Sequence, residues 1–150
     1  MLRHRSKGVR THTVEQDDKT ISKKKSSENE DESAFQIQFY ENILKDQPDF
    51  IEALVALGDL YTKRGEHKKG LDADLRLMRL RPEDPIILYN TACSYSLLNQ
   101  IDKSLTLIKS AVKCGYEDFE HMMQDGDLQN LRQDERFHQY VLTLKNKKSK

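Results

Sequence analysis

This sequence has few of the features that mark disulfide-rich, membrane-spanning or secreted proteins. Its 150 residues include two cysteines, Cys93 and Cys114, which are too few for a disulfide framework and lack the spacing of metal ligands. The apolar runs are short, whereas a helix that crosses a bilayer needs roughly 20 such residues. No apolar segment follows the basic start of the chain, so we expect no secretory signal. We therefore expect a cytoplasmic protein with reduced thiols and no membrane span.

Net charge is also absent, because 25 Lys and Arg residues balance 25 Asp and Glu residues. This balance does not require nucleic acid as a partner, and the composition alone does not favour that ligand class. Apolar residues make up only 36% of the chain, so part of it is expected to lie outside any core. The length fits a single domain.

Large apolar residues are scarce over residues 1–33. A basic run, Lys23 to Lys25, is followed there by an acidic run that includes Glu28 and Glu32. Such a segment buries too little apolar surface to offset the entropy of ordering it, so we predict a disordered charged tail. Residues 146–150, rich in lysine, are predicted to form a basic tail.

Between the two tails, apolar residues recur at helical spacing. The first apolar stripe predicts a helix over 34–46, with Ser33 as its cap, and it consists of Phe35, Phe39, Ile43 and Leu44, broadened by Ile37 and Tyr40. Asp49 is the predicted cap of the next helix. Further helices are predicted over 50–64, 67–80, 86–98, 101–113 and 135–145, with a short one around Phe119. With no alternating strand pattern, the sequence predicts an all-α antiparallel array of helix pairs.

One pattern of residues within this array occurs twice. The second copy lies 34 residues after the first. It matches Pro48, Leu54, Leu57, Gly58 and Tyr61 with Pro82, Leu88, Thr91, Ala92 and Tyr95, in that order. A repeat of that length, with a small residue beside an apolar one and an aromatic three further on, resembles a tetratricopeptide repeat. The resemblance implies a short solenoid over 34–116, with a half repeat at 34–50 and full repeats at 51–84 and 85–116.

The repeats depart from the family pattern in several places, including Thr91 in place of the usual leucine and Tyr116 in place of a closing proline, and they end in a different segment. Gly70 and Asp74 stand where the family usually has alanine and a large aromatic. Residues 117–145 are predicted to form a helical cap, with Asp134 capping the final helix. The stretch that starts at Asp125 resembles an ending often seen after the last such repeat in bacterial proteins. The residues expected to cover helix 101–113 are Leu128, Leu131, Phe137, Val141 and Leu142.

The resemblance implies a binding function and not catalysis: a protein-interaction adaptor that holds a peptide or helix of a partner in a concave groove. Carried over by position, the groove residues are Glu52, Val55, Ala56, Asp59, Lys63, Ile86, Tyr89, Asn90, Cys93 and Leu97. Asn90 stands where family members often place an asparagine that hydrogen-bonds the ligand backbone. Tyr89 is either a flat apolar anchor or a packing residue, and both interpretations stay open.

Some relatives hold a C-terminal carboxylate with a lysine and arginine cluster in this groove. Val55 and Asp59 occupy the corresponding places here, so no such clamp is predicted.

Catalytic patterns are weak throughout the chain. His67, His121 and His138 have no partner at the spacing of a helical zinc site. Cys93 is interpreted as a small packing residue. Asp125 and its neighbours lack the remaining oxygen ligands of a calcium loop, and no Gly-rich phosphate loop occurs. We therefore predict no enzymatic activity, no metal and no cofactor.

Two alternatives stay open beside the adaptor. In the first, the Lys-rich tails contact nucleic acid or another anionic surface and the helices act as a spacer, which predicts binding that falls steeply with salt. In the second, the incomplete first repeat stacks on another copy, so that the chain is a weak homodimer rather than a monomer.

Overall fold

The computed structural model describes residues 15–148, and the side chains of residues 22–146. Within that part every regular element is helical and no strand occurs, which confirms the all-α prediction. The elements are α1 Glu15–Asp46, α2 Ile51–Lys63, α3 His67–Leu80, α4 Pro85–Leu97, α5 Ile101–Lys113, α6 Phe119–Gln124, the 3-10 turn Gly126–Leu128, α7 Gln129–Arg132 and α8 Glu135–Lys148. None of these helices is long and apolar enough to cross a membrane.

Helix α1 begins well before the predicted start of order. The predicted disorder is wrong for residues 15–33, which are helical, while residues 1–14 lie outside the described part. Ser33 is not a cap; its hydroxyl donates to the Glu30 carbonyl at 3.0 Å. Residues 15–46 include neither glycine nor proline, and their many Lys, Glu and Gln residues favour a helix. Local helical hydrogen bonds therefore form although the side chains of residues 22–32 are exposed.

The chain divides into two compact units, Met1–Gln36 and Ile37–Lys150. Two predicted core residues of α1 are exposed: Phe35 in the first unit by 73% and Phe39 in the second by 53%. Their assignment to the buried stripe is wrong, because apolar residues occur on two faces of α1 and the set that packs into the core consists of other members of the predicted stripe. That set, at i, i+3 and i+7, is Ile37, Tyr40 and Leu44.

The bounds of α2 to α5 agree with the predicted helices to within one residue at each end. Pro85 opens α4, and the Asp84 carboxylate accepts the backbone N–H groups of Ile86 and Ile87 at 2.9 and 3.2 Å. Asp49 does not cap α2, contrary to the prediction. The N-cap is Phe50, one residue later, and no side chain bonds the helix end there.

The turns that close α2 and α4 repeat each other at an interval of 34 residues. Glu66 N–H donates to the Tyr61 carbonyl at 2.8 Å, and Gln100 N–H donates to the Tyr95 carbonyl at the same distance. Each turn holds one residue with positive φ, which is +75° at Gly65 and +56° at Asn99. Gly65 thus ends α2 in a left-handed turn, a conformation that glycine adopts without strain.

Small residues allow the two helices of each pair to approach closely. A Cβ atom added to Gly70 would lie 2.9 Å from Thr62 Oγ1 and 3.4 Å from the Gly58 carbonyl oxygen. In the next pair, Ser104 stands 34 residues after Gly70, and its hydroxyl donates to the Ala92 carbonyl at 2.7 Å. The two helices therefore approach closely at Gly58 in one pair and at Ala92 in the other.

Successive helices pack as neighbours: α2 on α3, α3 on α4, and α4 on α5. One core cluster joins α1, α2, α3 and the start of α4, and its buried residues include Leu44, Leu54 and Leu77. A second core cluster joins α4, α5 and the part of the chain after α5, which is called the C-terminal segment below. This cluster includes Ile108 and Phe137. Helix α4 therefore contributes to both clusters.

The C-terminal segment covers α4 and α5 much as predicted. Of the predicted covering residues, those that are buried are Leu128, Leu131, Phe137 and Val141. Leu142 is 59% exposed, so its assignment is wrong; Leu144, on the same face of α8 as Phe137 and Val141, is buried instead. Asp134 accepts the Arg136 N–H at 2.9 Å before α8. Helix α8 continues to Lys148, so residues 146–148 of the predicted tail are helical.

Candidate protein-binding cleft

A cleft of about 560 Å³ gathers most of the predicted groove residues. It is lined by side chains of α2, α3 and α4, by His121 of α6 and by the turn that follows α6. The predicted residues that line it are Val55, Ala56, Asp59, Ile86, Tyr89, Asn90, Cys93 and Leu97. Glu52 and Lys63 are exposed but do not line it. The volume is within the range of ligand pockets in proteins, about 300–1,000 Å³.

Apolar side chains are exposed in this cleft. Ile86 on α4 is 55% exposed, and Val55 on α2 is 47% exposed. The Asn90 side chain is also exposed, one turn along α4 from Ile86. An open apolar surface beside a group that can donate and accept hydrogen bonds suits a peptide, because a peptide offers apolar side chains and an unpaired backbone.

Tyr89 and Cys93 lie at the bottom of the cleft and offer little surface. Tyr89 is only 3% exposed, and its hydroxyl donates to Asp125 Oδ2 at 2.7 Å. Its ring stacks on Tyr116, with centroids 4.2 Å apart and planes 3° from parallel. Of the two interpretations left open for Tyr89, the geometry favours packing.

Asp125 links the C-terminal segment to α4. Besides the Tyr89 hydroxyl it accepts the Asp127 N–H at 2.9 Å, and it lies 3.2 Å from His121 Nε2 and 3.7 Å from Cys93 Sγ. Burial, and then the negative charge of Asp125, raises the pKa of the Cys93 thiol well above its usual value. The thiol therefore stays protonated near neutral pH, whereas a nucleophilic cysteine needs a lowered pKa.

Asp74 of α3 is a buried carboxyl group in the wall of the cleft. Burial raises its pKa to about 6, and the Ser94 hydroxyl, which donates to Asp74 Oδ2 at 2.5 Å, acts in the opposite direction. A Cβ atom added to Gly58 would lie 3.1 Å from Asp74 Oδ1. The carboxyl thus lies directly against α2 at Gly58.

Sequence reasoning missed the part of the cleft that the C-terminal segment supplies. His121, Asp125 and Asp127 come after the repeat period ends, and nothing in their spacing places them beside α4. Asp74 gives a signal in the sequence, because it is a charged residue on an otherwise apolar helix face. Among the described residues, no group of three or more His, Cys, Asp and Glu side chains is arranged to hold a metal ion.

Fold and site together define an all-helical protein with a partly apolar cleft. No family model matches the chain. It is similar to a chloroplastic protein of Arabidopsis thaliana, with 35% identity over 80 residues. The matched segment covers 51% of this chain and 24% of that protein, so the match spans about a quarter of its relative.

Proposed function

We propose that this chain is a non-enzymatic adaptor of the tetratricopeptide type, whose cleft holds a peptide or helix of a partner protein. The observation that carries the proposal is the cleft itself, where exposed Ile86 and Val55 lie beside exposed Asn90. The 34-residue repetition of the turn hydrogen bonds supports the tetratricopeptide assignment. The cytoplasmic location stays a prediction, and the similar plant protein is described as chloroplastic.

The proposal is tested by capture of partners from a nuclease-treated native lysate. We expect the substitutions Ile86→Asp and Asn90→Ala together to abolish capture of a partner that the intact chain retains, because a charge would then stand in the apolar part of the cleft. The matched control is Leu142→Asp, which places the same charge at a leucine that is 59% exposed on α8, outside the cleft. Circular dichroism should show equal helicity for all three proteins.

Capture that survives the cleft double substitution but is lost on removal of residues 1–33 would contradict the proposal. It would favour the alternative in which the Lys-rich tails, here the run Lys23 to Lys25, make the contact. Self-association stays a second prediction, to which Phe39 on α1 is relevant because it is 53% exposed. The proposed binding of a partner in the cleft does not depend on self-association.

A further inference from the structure

The charged residues that line the cleft are of one sign. Four aspartates contribute to its walls, namely Asp59, Asp74, Asp125 and Asp127, and the described lining contains neither lysine nor arginine. Lys63 pairs with Asp59 at 2.6 Å, but both side chains are well exposed, so this pair adds little stability and is readily exchanged. His121 is the one basic side chain among the described lining residues.

The carboxylates of Asp59, Asp125 and Asp127 line one cleft and repel one another. The pKa of Asp127 is raised by burial first, then by the charge of Asp125, with a smaller contribution from Asp59. His67 acts in the opposite direction. A cation bound between these groups would lower their repulsion, and in a partly buried site that interaction is screened less than it is on an open surface.

The same cleft combines these charges with the exposed apolar side chains of Ile86 and Val55. A free inorganic cation would leave this apolar surface in water, and an uncharged apolar segment would bring no cation to the acidic walls of the cleft. A segment that carries both cationic and apolar side chains can contact both the carboxylates and the apolar surface of the cleft.

We propose that the cleft selects a partner segment in which lysine or arginine stands beside apolar side chains, with the cationic groups at Asp59 and Asp127 and the apolar ones at Ile86 and Val55. This inference rests on the proposed function, since it specifies the chemistry of the partner in the same cleft. It is opposite in sign to the carboxylate clamp of some relatives, in which the groove supplies the cations.

The test uses a random library of displayed 12-residue peptides, selected on the immobilised full chain. We expect the selected peptides to be enriched in lysine and arginine over the starting library. The strongest peptide, made synthetically, should bind roughly tenfold more weakly when Asp59→Asn and Asp127→Asn are combined. The control is Glu83→Gln with Glu117→Gln, which removes the same charge from exposed residues outside the cleft lining and should leave affinity within about twofold.

The outcomes separate this inference from the proposed function. Peptides whose binding is lost with Ile86→Asp, but which show no cationic enrichment or bind the double asparagine variant unchanged, overturn the inference and leave the binding cleft in place. Selection that yields no peptide dependent on Ile86 overturns both. Enrichment with a tenfold loss, and a further few-fold loss between about 50 and 300 mM salt, supports the charge-matched segment.

Discussion

Replacing Phe137 with alanine should lower the free energy of unfolding by about 3–5 kcal/mol. The Phe137 ring is fully buried in the cluster that joins α4, α5 and the C-terminal segment. Its removal leaves a cavity that the surrounding helices fill only in part, so lost burial and lost packing both contribute. Since domains of this size are stable by about 5–15 kcal/mol, the loss would be a large share of the total.

The measurement is equilibrium unfolding in urea, followed by circular dichroism. The matched control is Leu142→Ala on the same helix, where the side chain is 59% exposed and the expected change is within about 0.5 kcal/mol. A loss below about 1 kcal/mol at Phe137, or equal losses at both positions, would show that the C-terminal segment does not complete the core.

The second large effect is expected at Asp74, where asparagine should stabilise the protein near neutral pH. The pKa of Asp74 is about 6 in the folded protein, against 3.8 for an ordinary aspartate such as that of the unfolded chain. The folded state therefore binds more protons between these values, and its stability falls as the pH rises from about 4 to about 6. A pKa difference of this size corresponds to roughly 2–3 kcal/mol.

The asparagine of the Asp74→Asn variant would be neutral throughout this range, and its amide oxygen would still accept from Ser94. The substitution should therefore gain about 1–2 kcal/mol at pH 7.5 and almost nothing at pH 4. The measurement compares urea unfolding of both proteins at the two pH values. Asp72→Asn, an exposed aspartate on the same helix, is the control and should change stability little at either pH. Equal effects of Asp74→Asn at both pH values would contradict burial of an ionised carboxylate.

The bounds of α2 to α5 were predictable because local signals agree there. Helical spacing of apolar residues, a proline shortly before or at the start of α2 and α4, and a positive-φ residue after each of these two helices mark the same ends. The start of α1 was not predictable by the same reasoning. Its first turns have no apolar face, so a prediction based on buried apolar surface gives disorder. The helix propensity of its residues favours a helix even where no apolar surface is buried.

The candidate site was predictable only where it lies on repeated helices. Val55, Asp59, Ile86 and Asn90 were predicted from the groove positions that the resemblance to tetratricopeptide repeats implies. The burial of Tyr89 was not, since it depends on Tyr116 and Asp125, which approach α4 through a non-repeating turn. Contacts of that kind depend on how the chain returns over α4. The spacing of residues along the sequence does not predict that path.

Site-specific photo-crosslinking tests the central claim most directly. A benzophenone side chain placed at position 86 lies in the cleft, and one placed at position 142 is equally exposed on α8, since the native side chains are 55% and 59% exposed. With the partner recovered by capture, we predict adducts from position 86 and none above background from position 142. Adducts from position 142 alone, or equal adducts from both, would contradict the assignment of this cleft as the protein-binding site.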